Sequence, residues 1–223
     1  MKKIIKNIFA VVLLFCLVVA SEPSALASKL KFVQISDVHF TTIREDNSYK
    51  LLARSKELLE DAVKQTNEMK NVDFVMFTGD LIDQPTVESF EEVMPYVNSL
   101  NVPWYFALGN HDTTDTGKMT KSKIVSLLLA NNPSRKTHSL YYTFVPKKGF
   151  RVIVLDSVID EKSVSTGYIP KEQLAFLDNT LKQSKRDVVL IFMHHPWQHK
   201  NLNADTIYST KQFTFSSLIP STH

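Results

Sequence analysis

Four short stretches of the chain gather carboxylate, amide and imidazole side chains: Asp37-Val38-His39, Gly79-Asp80, Gly109-Asn110-His111-Asp112 and His194-His195-Pro196. Each follows a run of apolar residues, as a strand followed by a polar tail would. Singly, such tails are weak signals. An Asp after a strand often starts a turn or caps a helix, and a lone His is more often structural than a ligand. Asn-His-Asp is more specific, because three such side chains at a strand end rarely serve packing. Four tails of this kind converging on one rim would form a metal centre. Oxygen and imidazole donors without thiolate suit Mn, Fe or Zn. Two ions held close together need an anionic ligand between them, and a single Asp can bridge both. Such a pair activates a water and clamps both oxygens of an in-line displacement at phosphorus.

The elements that must position these tails are legible from patterning. Short β-branched or aromatic runs predict strands over Leu30–Ser36, Asp73–Thr78, Pro103–Leu108, Tyr141–Val145, Arg151–Asp156 and Val188–Met193. Several are apolar on consecutive residues, as strands covered on both faces tend to be. Amphipathic stretches lie between them. One carries Leu52, Leu59 and Val63, a second Val87, Phe90, Val93, Met94 and Val97, and a third runs from Ile124 to Leu129. A fourth opens with Pro170 in its first turn and places Leu174, Leu177 and Leu181 on one face. Strand–helix alternation predicts an α/β fold with ligands at the carboxyl ends of the strands. No internal repeat or low-complexity tract interrupts it.

The order Asp-x-His, Gly-Asp, Gly-Asn-His-Asp, then His after a strand resembles the calcineurin-like metallophosphoesterase superfamily, across about residues 30–200. Gly167-Tyr168-Ile169-Pro170, with Gln173-Leu174 and Phe176-Leu177, adds a likeness to its secreted and cyclic-nucleotide-phosphodiesterase-like members. The resemblance implies an α/β/β/α sandwich of four layers around two central sheets. It implies that Asp37 and His39 bind a first metal ion, that Asp80 bridges, and that Asn110 and His194 bind a second. It also implies that His111 stands beside the metals and stabilises the transition state or protonates the leaving oxygen. Asp83 stands where some relatives orient that histidine; a turn or cap before the helix starting near Thr86 is the other reading. Asp112 reads as bracing its turn, His195 as supporting its neighbour or lining the pocket, and Trp197 and His199 as facing substrate.

The family's last metal motif, Gly-His-x-His after a further strand, has no counterpart among the 223 residues. The resemblance assigns one of its histidines to each metal and expects further covering strands. A fragment or frameshifted product would explain this, as would a short variant using His199 or His223, or a pseudoenzyme that binds phosphate compounds without turnover. At the other end, Lys2, Lys3 and Lys6, an apolar stretch from Ile8 to Ala20 and Ala25-Leu26-Ala27 read as a signal peptide over residues 1–27. The stretch is short for a membrane anchor. Residues 28–223 would then form one exported phosphoesterase domain, secreted or periplasmic, with no lasting membrane anchor. Losing residues 1–27 removes three lysines and one glutamate, so the formal charge falls from +3 to +1. That charge, with no basic or aromatic-interleaved stripe, does not favour nucleic acid as partner. The only cysteine, Cys16, lies in the signal, so the mature chain has no disulfide chemistry. The expected activity is hydrolysis of small phosphomonoesters or phosphodiesters by a hydroxide activated between two metal ions.

Overall fold

A computed structural model describes residues 29–42, 50–114, 117, 119–159 and 166–196. All six apolar runs form strands, each one to three residues shorter than its run. The first sheet contains β1 (Phe32–Ile35), β2 (Phe74–Phe77) and β3 (Trp104–Phe106), all parallel with β2 central. Phe32 lies opposite Phe74, and Val75 opposite Trp104. In the second sheet β4 (Tyr142–Phe144) runs antiparallel to β5 (Phe150–Val154), which pairs in parallel with β6 (Val188–Phe192).

Alternation along the strands sorts the core into layers. On β2, Val75 and Phe77 pack with Leu59, Val63, Phe90, Val93 and Val97, which come from α1 (Ser55–Glu68) and α2 (Val87–Val97). Ile124, Leu127 and Leu128 of α3 (Lys121–Asn131) belong to the same cluster. Phe74 and Met76 face the other way and meet Tyr142, Val152, Val154 and Phe192 of the second sheet. The odd-phase residue of β5, Ile153, packs on the far side with Leu177 of α4 (Lys171–Gln183). Helices, sheet, sheet and helix therefore stack as four layers. Every residue of β2 is buried because both of its faces are covered. Full burial of one such side chain is worth about 1.5–3 kcal/mol.

Local signals set the helix ends. Thr86 caps α2 by accepting from Ser89 N (3.0 Å), and Thr120 caps α3 by accepting from Lys123 N (3.3 Å). Pro170 is the residue before α4 rather than inside its first turn, and its carbonyl accepts from Gln173 and Leu174. The expected Leu174–Leu177–Leu181 stripe is only partly realised. Leu174 is 41% exposed, while Gln173 is buried and bonds the Asp156 backbone in both directions, accepting from N (2.9 Å) and donating to O (2.7 Å). Pairing two buried backbone groups fixes the rotation of the helix against the weaker pull of one leucine.

The outer edge of β3 is closed by side chains. The Tyr142 hydroxyl accepts from Phe106 N (3.1 Å) and donates to Phe106 O (2.9 Å), and Asn132 Nδ2 donates to Trp104 O (3.0 Å). No helix among the described residues is long and apolar enough to cross a membrane.

Candidate metal centre

The polar tails continue the strand pairing beyond the sheet. Asp37 N donates to Gly79 O (3.1 Å), His39 N to Asp80 O (2.9 Å) and Phe40 N to Leu81 O (2.9 Å). Continuing the pairing while turning the side chains inward demands unusual backbone. Four non-glycine residues among those described have positive φ: Asp37 (54°), His39 (46°), Asn71 (61°) and Asp80 (51°). Three of the four are expected metal ligands. Each such residue costs on the order of 1–3 kcal/mol, and strain of this kind concentrates at functional sites.

Gly79, with φ of 97°, makes the turn between β2 and Asp80 possible. It also makes room, since a Cβ there would lie 2.5 Å from His194 Nδ1 and 2.8 Å from Gly109 Cα. A Cβ on Gly109 would collide with the Asp80 backbone nitrogen. The glycines of both motifs are thus close-approach residues that let tails from different strands meet.

Asp112 locks two tails together. Fully buried, it accepts from Gly109 N (2.8 Å), Asp80 N (2.9 Å), Leu81 N (2.8 Å) and Ile82 N (3.1 Å). Burial, and then the Asp80 carboxylate, push its carboxyl up to about 8 against the pull of backbone donors. It braces the rim without being a member of either metal cluster.

Two groups of side chains bring ligand atoms within 4.8 Å of one another: His39, Asp80 and His111, and Asp37, Asp80 and His194. Asp80 belongs to both. Its Oδ2 lies 3.6 Å from His39 Nε2, its Oδ1 lies 3.4 Å from His194 Nε2, and Oδ1 also accepts from His111 N (2.9 Å). Asp37 falls in the group with His194, and His39 in the group with His111. Asn110 joins the second group through Oδ1, 3.1 Å from His194 Nε2.

The donor chemistry fits a cation. With His194 Nδ1 donating to Thr78 O (3.0 Å), Nε2 carries a lone pair. In the neutral ring that lone pair faces the oxygens of Asn110 (3.1 Å) and Asp80 (3.4 Å), and these three acceptors do not satisfy one another. A metal ion between them would. His39 suits the same purpose. Burial first, then the Lys50 ammonium, hold its pKa below the ordinary histidine value despite Asp80 and Asp83, and neutral imidazole is the ligating form. These residues therefore match a divalent metal cofactor.

Asp83 faces the first group. Its Oδ1 lies 3.3 Å from His39 Nδ1, the carboxylate–histidine contact that orients ligating rings. Its backbone carbonyl receives His111 Nδ1 (2.9 Å). The alternative of a helix cap falls away, because Thr86 caps α2. Sequence reasoning missed Lys50. Its Nζ lies 2.8 Å from Asp83 Oδ1, 3.2 Å from His39 Nδ1 and 3.5 Å from His111 Nε2. No motif marks it, and its place is set by folding across 61 residues.

His195 turns away from the metal cluster. Its backbone N donates to Ser157 Oγ (3.1 Å), and Nδ1 lies 2.9 Å from the same oxygen, so its ring packs under the rim of the second sheet. A Cβ on Gly167 would meet its Cβ at 2.5 Å, which explains the glycine of Gly167-Tyr168-Ile169-Pro170. Trp197, His199, His223 and the signal segment 1–27 lie outside the described residues.

Known proteins resemble this chain in sequence and fold. The chain is 28% identical over 168 residues to a 3',5'-cyclic-nucleotide phosphodiesterase of Nostoc, covering 75% of this chain and 57% of that protein. A probable glycerophosphodiester phosphodiesterase of Arcobacter nitrofigilis is 29% identical over 172 residues, covering 74% and 56%. Tartrate-resistant acid phosphatase type 5 of Rattus norvegicus is 30% identical over 206 residues, covering 78% and 58%. The chain thus spans somewhat over half the length of these relatives. A crystal structure of a dimetal phosphatase from Danio rerio superposes with a TM-score of 0.59 at 22% identity, covering 74% of this chain and 69% of the other, and so shares the fold. The calcineurin-like phosphoesterase family pattern matches residues 30–215, most of the chain, and the chain belongs to that family.

Proposed function

We propose that the protein is a metal-dependent hydrolase of small phosphate esters, with Asp37, His39, Asp80, Asn110 and His194 holding two ions of Mn, Fe or Zn. The observation that carries this reading is the Asp80 carboxylate, which faces one ligand cluster with each oxygen. Ions bound there would lower the pKa of a water and draw charge from the phosphoryl oxygens.

The chain's own groups supply the rest. His111 is fixed through Nδ1 on the Asp83 carbonyl, and its side chain is a third exposed, with Nε2 3.5 Å from Lys50 Nζ. In its protonated form Nε2 would pass a proton to the departing oxygen, a contribution typically worth about 10²–10⁴-fold in rate. Lys50 Nζ sets a positive charge 3.5 Å from the same atom, where the charge of a phosphoryl group would build. Asp83 positions both. Relatives named for cyclic-nucleotide, glycerophosphodiester and phosphatase activity support a small phosphodiester or phosphomonoester as substrate.

The test is turnover of p-nitrophenyl phosphate and bis(p-nitrophenyl) phosphate after stripping with chelator and reloading with Mn²⁺. Turnover that needs Mn²⁺ and vanishes in Asp80→Ala is expected. Stoichiometric Mn²⁺ uptake without turnover of either ester would favour a binding protein instead. Export belongs to the same proposal: the lysine-rich start, apolar stretch and Ala25-Leu26-Ala27 support cleavage before Ser28. Mass spectrometry of the exported protein finding residues 8–20 still attached would contradict it.

A further inference from the structure

Away from the strand ends lies a cavity of about 350 Å³, lined by Tyr105, Ser134, Arg135, Lys136, Thr137, Tyr142 and their neighbours. No expected metal ligand lines it. Tyr105 stands on β3 five residues before Asn110, roughly 16 Å of extended chain, so the cavity is separate from the metal centre.

Its unusual feature is Arg135. The side chain is only 8% exposed, yet Nη2 donates to a neutral carbonyl, Ser139 O (2.5 Å), and the guanidinium carbon sits 5.1 Å from the Tyr142 ring centre. Nε is buried without a hydrogen-bond partner. Among the described residues no carboxylate pairs with Arg135, and no acidic side chain lines the cavity. Burial draws its pKa down and only Tyr142 opposes, but a guanidinium stays charged in any ordinary protein setting. A buried cation with no counter-ion among the described residues is costly, and the Tyr142 side chain with one carbonyl offsets only part of that. Lys136, exposed beside it, adds a second positive charge, and the Ser134 and Thr137 hydroxyls add donors.

We propose that this cavity is a binding site for a small oxyanion, held by the Arg135 fork and by Lys136. A planar guanidinium with a donor to spare suits two oxygens of a phosphate or carboxylate. The Tyr142 ring keeps the fork flat and in place.

The test uses the full 223-residue chain after chelator treatment, so that no metal competes for the anion. Inorganic phosphate and malonate are titrated separately by calorimetry, and the tighter of the two identifies the anion class. The expected result is one saturable site per chain that weakens with salt. Arg135→Met should weaken it at least tenfold, Lys136→Glu several-fold, and Asp80→Ala not at all. If Arg135→Met fails to fold, Arg135→Lys, which keeps the charge but not the fork, and the exposed Lys136→Glu carry the test. No saturable binding of either anion by the wild type would overturn the site, as would unchanged affinity in the Lys136 and Arg135 variants. Loss of binding in Asp80→Ala would move the anion to the metal centre and overturn it equally.

Discussion

The rims of the two sheets are built alike and behave differently. At the first, the tails of β1, β2 and β3 carry three left-handed non-glycine residues, a buried carboxylate taking four backbone donors, and two clusters of facing ligand atoms. At the second, the tails of β5 and β6 are also polar, but their groups pair among themselves. Asp156 accepts from Lys121 Nζ (2.6 Å), Ser157 meets His195, and Gln173 closes the Asp156 backbone. Only His194 leaves that rim to join the other. A polar strand end is therefore no site in itself. What marks the first rim is ligand atoms facing one another on a strained backbone.

Removing the clamp of the first rim should do most damage. Asp112→Ala would leave four buried N–H groups unsatisfied and should cost on the order of 3–5 kcal/mol. Ser157→Ala at the second rim should cost about 1 kcal/mol. Urea melts of the two variants compare the rims directly, and equal costs would erase the distinction.

Metal binding should respond almost as strongly. Asp80→Ala is expected to abolish uptake at both clusters, because both share its carboxylate, whereas Asn110→Ala should weaken only the His194 side. Unchanged Mn²⁺ stoichiometry in the Asp80 variant would sink the shared role.

A smaller effect is expected from Gly79→Ala. It places a Cβ 2.5 Å from His194 Nδ1 at a φ of 97° and should cost about 1–3 kcal/mol while lowering metal affinity. Gly117 has a similar φ, 102°, but open space around it, so Gly117→Ala should cost about 1 kcal/mol and leave affinity alone. Similar losses of metal affinity in both variants would show that strain, not the approach to His194, matters.

The finest test is of charge. His39 titrates below its ordinary value of 6.5 for reasons that include Lys50. In metal-free protein the unfolded chain then binds a proton that the folded one refuses. Stability should accordingly fall as pH drops through 6.5 toward the folded value, and level off below it. Lys50→Met should raise the folded value and narrow that window, read by NMR titration of the ring. An unmoved titration would separate Lys50 from His39.

Much of this was legible in the residues. All six strands and four helices announced themselves by β-branched runs and amphipathic spacing, because burial on one or both faces leaves a periodic trace. The tails were legible because four of them, each a weak signal alone, carry ligand-type residues in one order along the chain. The left-handed backbone of Asp37 and His39 was not, since no glycine marks it and the strain is imposed by pairing with Gly79 and Asp80. Nor was the rotation of α4, where Gln173 outweighs Leu174 through bonds to Asp156 that no periodicity encodes. Lys50 left no trace, because a lysine on the far side of a loop looks like any solvated charge until the fold brings it to His111.

The Tyr142 hydroxyl has a consequence for how copies of the chain meet. An exposed strand edge offers free N–H and C=O groups as a template on which another strand can grow. On β3 the Phe106 pair is occupied by that hydroxyl and the Trp104 carbonyl by Asn132. The first sheet is thus guarded against strand addition along this side by a single oxygen belonging to the second. Tyr142→Phe would expose the pair, and with it a route to aggregation.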